Sequence, residues 1–231
     1  MFKKYLVFNI VFLVIVISQL SSIYFGYSIL HMISKVLITL SLMIILVLKT
    51  KLKGRFHKRI FTGLIFAMMG DIFLLFDTNT SYFMAGLTSF LIGHLCYISA
   101  FYLDFRSAPE LDKRGARMAI ITGVVLSCAS YFWLRPTLGP LRLPVLVYIF
   151  VITLMMMMAA FRNKRVNSLS FNLILTGAFC FMASDALLAG SRFGHAFPSV
   201  GILVMFSYMI AQYLIILGAT ERKLLAHDAV N

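Results

Sequence analysis

Acidic residues are scarce in this chain. Eight Asp and Glu stand against 21 Lys and Arg in 231 residues, and all charged residues together make up only 13%. With 61% hydrophobic residues and a mean hydropathy of +0.94, so little charge excludes an ordinary soluble domain and predicts an integral membrane protein. Cysteine is sparse too. Cys96, Cys128 and Cys180 are odd in number, fall inside apolar runs and form no C-x-x-C, so they read as packing residues. The chain has no G-x-S-x-G elbow and no glycine-rich phosphate loop. His31, His57, His94, His195 and His227 form no H-x-x-x-H or H-E-x-x-H pair, and a zinc site needs three or four ligands. No metal and no cofactor is expected.

What the chain has in abundance is long apolar runs. A bilayer core of about 30 Å takes about 20 apolar residues per helix. Eight runs approach that length, at about 5–25, 28–49, 59–77, 81–103, 116–134, 141–161, 169–190 and 196–218. The expected fold is all-α, eight transmembrane helices in one membrane domain over 1–231, with no room between the runs for a soluble domain. The basic start of the first run resembles a signal peptide, but it lacks a small-x-small cleavage site, so an uncleaved first span is expected.

The net charge of +13 does not point to nucleic acid, because the basic residues lie in short loops between the spans. On the side of the N-terminus fall Lys3, Lys4, six residues within 49–59, four within 106–117, three within 162–165, and Arg222 with Lys223. Only Arg135, Arg142 and Arg192 lie on the other side, and Lys35 sits inside the second run. Positive loops stay cytoplasmic. Both termini are therefore expected in the cytoplasm of a cell (inner) membrane protein.

Against this background two aspartates stand out. Asp71 lies in T-G-L-I-F-A-M-M-G-D-I-F-L-L (Thr62–Leu75) and Asp185 in T-G-A-F-C-F-M-A-S-D-A-L-L-A (Thr176–Ala189). Thr, Gly, Met, Asp and one Leu coincide at a constant offset of 114 residues. Phe83 with Phe197 and His94 with Tyr208 keep the same offset. This pattern predicts two parallel four-helix repeats, 1–110 and 111–218, around a shared cavity, followed by a short tail at 219–231. A carboxylate in a lipid-embedded helix costs roughly 2.5–3.5 kcal/mol on insertion scales, so its default reading is functional. Both aspartates fall past the midplane, roughly 8–9 Å from the outer end at 1.5 Å per residue. Lys35 reaches a similar depth, and three ionisable groups at one level suggest one polar cavity. The bland alternative is an ion pair of Lys35 with one aspartate, which leaves the other unexplained.

The remaining candidates are weaker. Gly63, Ala67, Gly70, Gly177 and Ser184 read first as small residues that let helices approach, with Ser184 also able to donate a hydrogen bond beside Asp185. Phe83, Gly86, Phe90, His94, Tyr97 and Phe101 form one face of the fourth span. Gly201, Met205, Tyr208 and Gln212 do the same in the eighth. The phenylalanines read as packing. His94, Tyr97, Tyr208 and Gln212 carry polar atoms that need partners where water is absent, and they either line the cavity or satisfy one another. Met155–Met158 reads as lipid-facing or as filler.

The ordered set G-D-I-F-L-L at Gly70–Leu75, F-x2-G-x3-F-x3-H-x2-Y from Phe83 to Tyr97, S-D-A-L-L-A at Ser184–Ala189 and Y-x3-Q from Tyr208 to Gln212 resembles the YhhN-like family of membrane proteins. The likeness is strongest in spans three, four, seven and eight. One departure is Val36, where the family commonly has proline after the second-span lysine. Members include lysoplasmalogenases, so the resemblance implies hydrolysis of the vinyl ether of a lysophospholipid within the bilayer. Asp71 and Asp185 would then be the catalytic acid and base, in either order. Lys35, His94, Tyr97, Ser184, Tyr208 and Gln212 would be the substrate-binding set, with Lys35 holding a carboxylate or the lipid phosphate. The main rival is a transporter that uses the two aspartates as a proton relay. A metal-dependent lipid amidase or esterase, and a scaffold with a structural ion pair, are further ones.

The orientation is open to direct test. A cytoplasm-active reporter fused at the C-terminus should be active, and a single cysteine introduced near Leu138 should react with an impermeant maleimide from outside intact cells. The opposite labelling pattern would reverse the topology.

Overall fold

The computed structural model describes residues 2–76, 80–109, 112–194 and 196–225, without the side chains of residues 2 and 3. His195, His227 and residues 226–231 of the expected tail lie outside the described residues, as do Lys3's side chain and residue 77 at the end of the third run. Eight α-helices account for the fold: α1 (Leu6–Phe25), α2 (Ser28–Thr50), α3 (Gly54–Phe73), α4 (Thr80–Phe105), α5 (Lys113–Leu134), α6 (Arg142–Ala160), α7 (Ser168–Arg192) and α8 (Val200–Thr220). Each is long and apolar enough to cross a membrane. The protein is a multi-pass membrane protein, as its apolar runs predict. The described helices differ from those runs by a few residues at their ends. α3 starts at Gly54 rather than 59, because helix continues into the basic segment that hydropathy alone assigns to a loop.

Packing divides the helices into an inner and an outer set. α3 pairs closely with α4, and α7 with α8; α4 also leans on α6, and α8 on α2. Small residues permit the two close pairings. A Cβ at Gly70 would come within 2.7 Å of the Phe90 ring, and one at Gly177 within 2.9 Å of the Ala211 carbonyl. α1 and α5 sit at the periphery, burying only Phe12, Gln19 and Ser22, and Ala119, Gly123 and Leu134, respectively. Their exposed faces carry Val7, Leu13, Val14, Val124, Val125 and Phe132, which is the apolar exterior that lipid requires. Met155, Met156 and Met158 are buried in the main core rather than facing lipid, since α6 is enclosed by α4, α5 and α7. α2 runs unbroken through Lys35–Val36, as expected where proline is absent.

The face that carries the N-terminus is closed by a charged clasp. Asp104, fully buried at the end of α4, accepts hydrogen bonds from Arg162 Nε at 2.8 Å and from Arg222 Nε at 2.7 Å. Arg162, itself fully buried, also donates to the Ser170 hydroxyl at 2.9 Å, and that hydroxyl donates to the Gly218 carbonyl at 2.7 Å. Both guanidinium groups lie over the Phe56 ring. One carboxylate therefore joins the end of α4, the α6–α7 connection and the end of α8. Nearby, Lys4 and Tyr5 both donate to Glu221, tying the start of α1 to the end of α8. Asp112 caps α5 by accepting from the Gly115 N–H at 2.9 Å, a hydrogen bond that holds its carboxyl below the usual range.

Removing the acid of the clasp leaves two arginines facing each other with one of them fully buried. Asp104→Ala should lower stability by about 3–5 kcal/mol, read from denaturant titration in detergent micelles. A loss below about 1 kcal/mol would mean that the clasp is incidental.

Candidate active site

Hydroxyl donors from other helices hold both aspartates, two for Asp71 and one for Asp185. Asp71 lies on α3 and is 2% exposed. Its Oδ2 accepts from the Tyr208 hydroxyl of α8 at 2.7 Å and from the Thr39 hydroxyl of α2 at 3.1 Å. Its Oδ1 faces the ammonium of Lys35, also on α2, at 4.0 Å. Lys35 and Thr39 reach the same carboxylate because residues four apart share a helix face. Asp185 on α7 accepts from the Tyr148 hydroxyl of α6 at 2.6 Å. His94 Nε2 on α4 stands 3.8 Å from the same oxygen, which is too long for a hydrogen bond. The His94 ring is 1% exposed, and neither of its nitrogens has a hydrogen-bond partner among the described residues.

The two carboxylates are linked by rings. His94 packs edge-on against Tyr148 and Phe181, and Phe181 edge-on against Tyr208, with centroids 4.7–5.5 Å apart. Edge-to-face contacts at such distances are favourable and rigid. Phe181, 1% exposed, therefore separates the Asp185 side from the Asp71 side. The partners cross between the halves of the chain. Tyr208 of the second half meets Asp71 of the first, while His94 of the first meets Asp185 of the second.

Two spaces adjoin these groups, where the sequence suggested one polar cavity. Lys35 opens onto a groove of about 540 Å³ whose walls include His31, Ser28, Ser191 and Gly201. Asp185 and Tyr148 open onto a much narrower apolar cavity of about 40 Å³, lined by Phe83, Leu134, Val145, Ile149 and Met182. Leu188 belongs to the walls of both. Each lies in the half of the molecule away from the Asp104 clasp. Behind the groove, Gln19 bridges α1 and α2, donating to His31 Nδ1 at 2.9 Å and accepting from Ser34 at 2.5 Å.

The other sequence candidates point elsewhere. Tyr97 donates to Gln212 Oε1 at 2.8 Å, and Gln212 Nε2 reaches the Tyr208 oxygen at 3.5 Å. This buried pair supports Tyr208 from behind and contributes to neither space. Ser184 turns from Asp185 and donates to the Val204 carbonyl of α8 at 2.9 Å. Sequence reasoning missed Thr39 and Tyr148. Thr39 carries a readable signal, the spacing of four from Lys35; Tyr148 carries none. Among the described residues no group of three or more His, Cys, Asp or Glu is placed to hold a metal ion.

Fold and site together define a multi-pass membrane protein with two intramembrane carboxylates, each held by a tyrosine, Asp71 fully enclosed and Asp185 in the wall of a cavity. The YhhN family model matches residues 30–219, and the chain belongs to the YhhN family. It is 30% identical over 166 residues to a lysoplasmalogenase of Mycobacterium bovis, a match covering 71% of this chain and 61% of that protein. It is 33% identical over 172 residues to the lysoplasmalogenase TMEM86A of Homo sapiens, covering 71% of this chain and 66% of that protein. The chain thus spans under two thirds of the length of these curated relatives. No solved structure gives a significant match.

If Tyr208 is a support of the Asp71 carboxylate, Tyr208→Phe should cost about 1.5–3 kcal/mol, the range for a hydrogen bond to a charged group. Tyr97→Phe, which removes a donor to a neutral amide, should cost about 1 kcal/mol. Unfolding in detergent ranks the two, and equal losses would argue against a special role for Tyr208.

Proposed function

We propose that the protein hydrolyses the vinyl-ether bond of lysoplasmalogens, releasing a fatty aldehyde and a glycerophospho-base, with Asp71 and Asp185 as the acid–base pair. The observation that carries this reading is the pair of carboxylates in membrane-crossing helices, Asp185 in the wall of the apolar cavity and Asp71 buried behind Lys35, which lines the groove. The relatives named lysoplasmalogenase, and the membership of their family, support the substrate class.

The chemistry asks for two such groups. A carboxylic acid delivers its proton to the second carbon of the vinyl ether, leaving an oxocarbenium ion at the first. Water adds to that carbon while the second carboxylate takes its proton. The hemiacetal then collapses: its O–H proton is released, the carbon–oxygen bond to glycerol breaks, and the glycerol oxygen takes up a proton. Water is the only co-reactant. Glycosidases meet a related cation with paired carboxyl groups in the same way. Lys35 and the groove beside it offer a cation and polar atoms for a phosphate, and Tyr148 and Tyr208 hold the two carboxylates in place.

The parallel-repeat arrangement, halves 1–110 and 111–218, belongs to the same proposal. Its support is the crossed pairing of Tyr208 with Asp71 and of His94 with Asp185. Positive loops on the N-terminal face support a reading with both termini in the cytoplasm of the inner membrane, on which both spaces open toward the outer leaflet.

Purified protein in detergent should release aldehyde from choline or ethanolamine lysoplasmalogen, unaffected by EDTA. Asp71→Asn and Asp185→Asn should each lower kcat at least about 100-fold, the lower range for a positioned acid or base. Folded wild-type protein that leaves both substrates intact would sink the hydrolase and direct attention to transport.

A further inference from the structure

The polar groove and the apolar cavity occupy matching places in the two halves of the chain. At the offset of 114 that relates Asp71 to Asp185, His31 of the groove corresponds to Val145 of the cavity, and Lys35 to Ile149. Leu74 in the groove corresponds to Leu188, and Gly201 in the groove to Leu87 in the cavity. The same wall positions are thus built twice, once with an imidazole, an ammonium and a glycine, and once with three aliphatic side chains. Leu188 lines both, so the two spaces lie side by side with one side chain common to their walls.

From this we infer that the two copies of one pocket have diverged to bind the two ends of one amphiphile, the headgroup in the Lys35 groove and the hydrocarbon chain in the Val145–Ile149 cavity, with Asp185 as the proton donor. The inference rests on the hydrolase reading above and assigns its two aspartates.

The assignment of roles follows from where the reacting carbons must lie. Protonation occurs at the second carbon of the alkenyl group, the one nearer the chain end. With the chain in the cavity, that carbon passes the only carboxyl group in the cavity wall, Asp185. Asp71 has an ammonium and two hydroxyl donors around it, partners that favour its anionic form. It lies on the headgroup side, where the cationic carbon and the incoming water need a negative charge. Asp185 has the Tyr148 hydroxyl and an otherwise aliphatic cavity, surroundings suited to a neutral acid.

The cavity also sets a length. A buried methylene contributes about fourfold to binding, so displacing two carbons from the cavity costs about tenfold or more. Val145→Phe adds bulk at the cavity wall, and Ala186→Leu does so from α7 should the first variant fail to fold. The experiment measures kcat/KM for alkenyl chains of increasing length, with Val124→Phe on the lipid-facing side of α5 as control. It also measures thermal stabilisation by a saturated alkyl-ether lysophospholipid, which binds without being cleaved. In either filled variant the ratio of short-chain to long-chain kcat/KM should rise at least tenfold over wild type, and stabilisation by the long alkyl ether should fall. The control should match wild type in both.

An unchanged length profile in a folded, filled variant of an active enzyme would overturn the placement of the chain while leaving the hydrolase intact. An inactive wild type that is still stabilised by the alkyl ether, with the stabilisation lost on filling, would remove the hydrolase and keep the amphiphile site. Stabilisation that filling leaves untouched would remove the site as well.

Discussion

A carboxylate inside a hydrocarbon slab has no solvent to share its charge, and that constraint organises this structure. Each buried acid must find its donors within the protein, and the donors come from helices distant in sequence. Asp71 brings together α2, α3 and α8 through Lys35, Thr39 and Tyr208. Asp185 brings together α6 and α7 through Tyr148, with α4 alongside through His94. Asp104 does the same at the membrane edge, joining α4 to two arginines that follow α6 and α8. The close approach this demands is met by Gly70 and Gly177, where a side chain would collide with the neighbouring helix. Apolar packing alone would not select these neighbours, because lipid tails compete with leucine on equal terms. The polar contacts can select them.

The same constraint accounts for the filled interior behind the clasp, beside which a pocket of about 450 Å³ lined by Phe105, Asp112, Phe161 and Arg165 opens at the edge of that face. Around the Asp104 clasp the interior is filled by Leu42, Leu46, Ile60, Phe101 and Met155, all fully buried. A void there would leave Arg162 near uncompensated space. Toward the opposite face the packing loosens into the groove and the cavity, and the two aspartates stand at the boundary between these regions.

Much of this was legible in the chain. The eight apolar runs, the basic loops and the two intramembrane aspartates are all local signals. Lys35 beside Asp71 follows from depth alone, since both fall near the same level of adjacent spans. What sequence could not supply is the direction of individual side chains. Ser184 adjoins Asp185 yet bonds to α8, because successive residues on a helix point about 100° apart. Tyr97 and Gln212 belong to one buried pair, which periodicity places on inward faces without saying that they meet. Tyr148 has no neighbour in sequence that marks it. Asp104 sits at the end of a span next to basic loops, where an acid looks solvated; its partners lie 58 and 118 residues away. Where one cavity was expected there are two spaces with Leu188 in both walls, and the aspartates are joined instead through the packed rings of His94, Phe181 and Tyr208.

On the proposed reading, a duplication would supply two carboxylates that start alike, and acid–base catalysis would need them unlike. Divergence at a few wall positions is enough to separate them. Ile149 at the position matching Lys35 leaves the second-half pocket without the cation and gives it aliphatic surface instead. The Tyr208 position, read as His94 in the first half, replaces a hydroxyl donor with a ring that stands 3.8 Å from its carboxylate. Both changes act in one direction, surrounding Asp71 with groups that suit an anion and Asp185 with groups that do not. They also turn one pocket polar and its counterpart apolar. An amphiphile with its reactive bond at the junction of head and tail is the ligand that such a divided pair would fit, with that bond near Leu188, the side chain common to both walls.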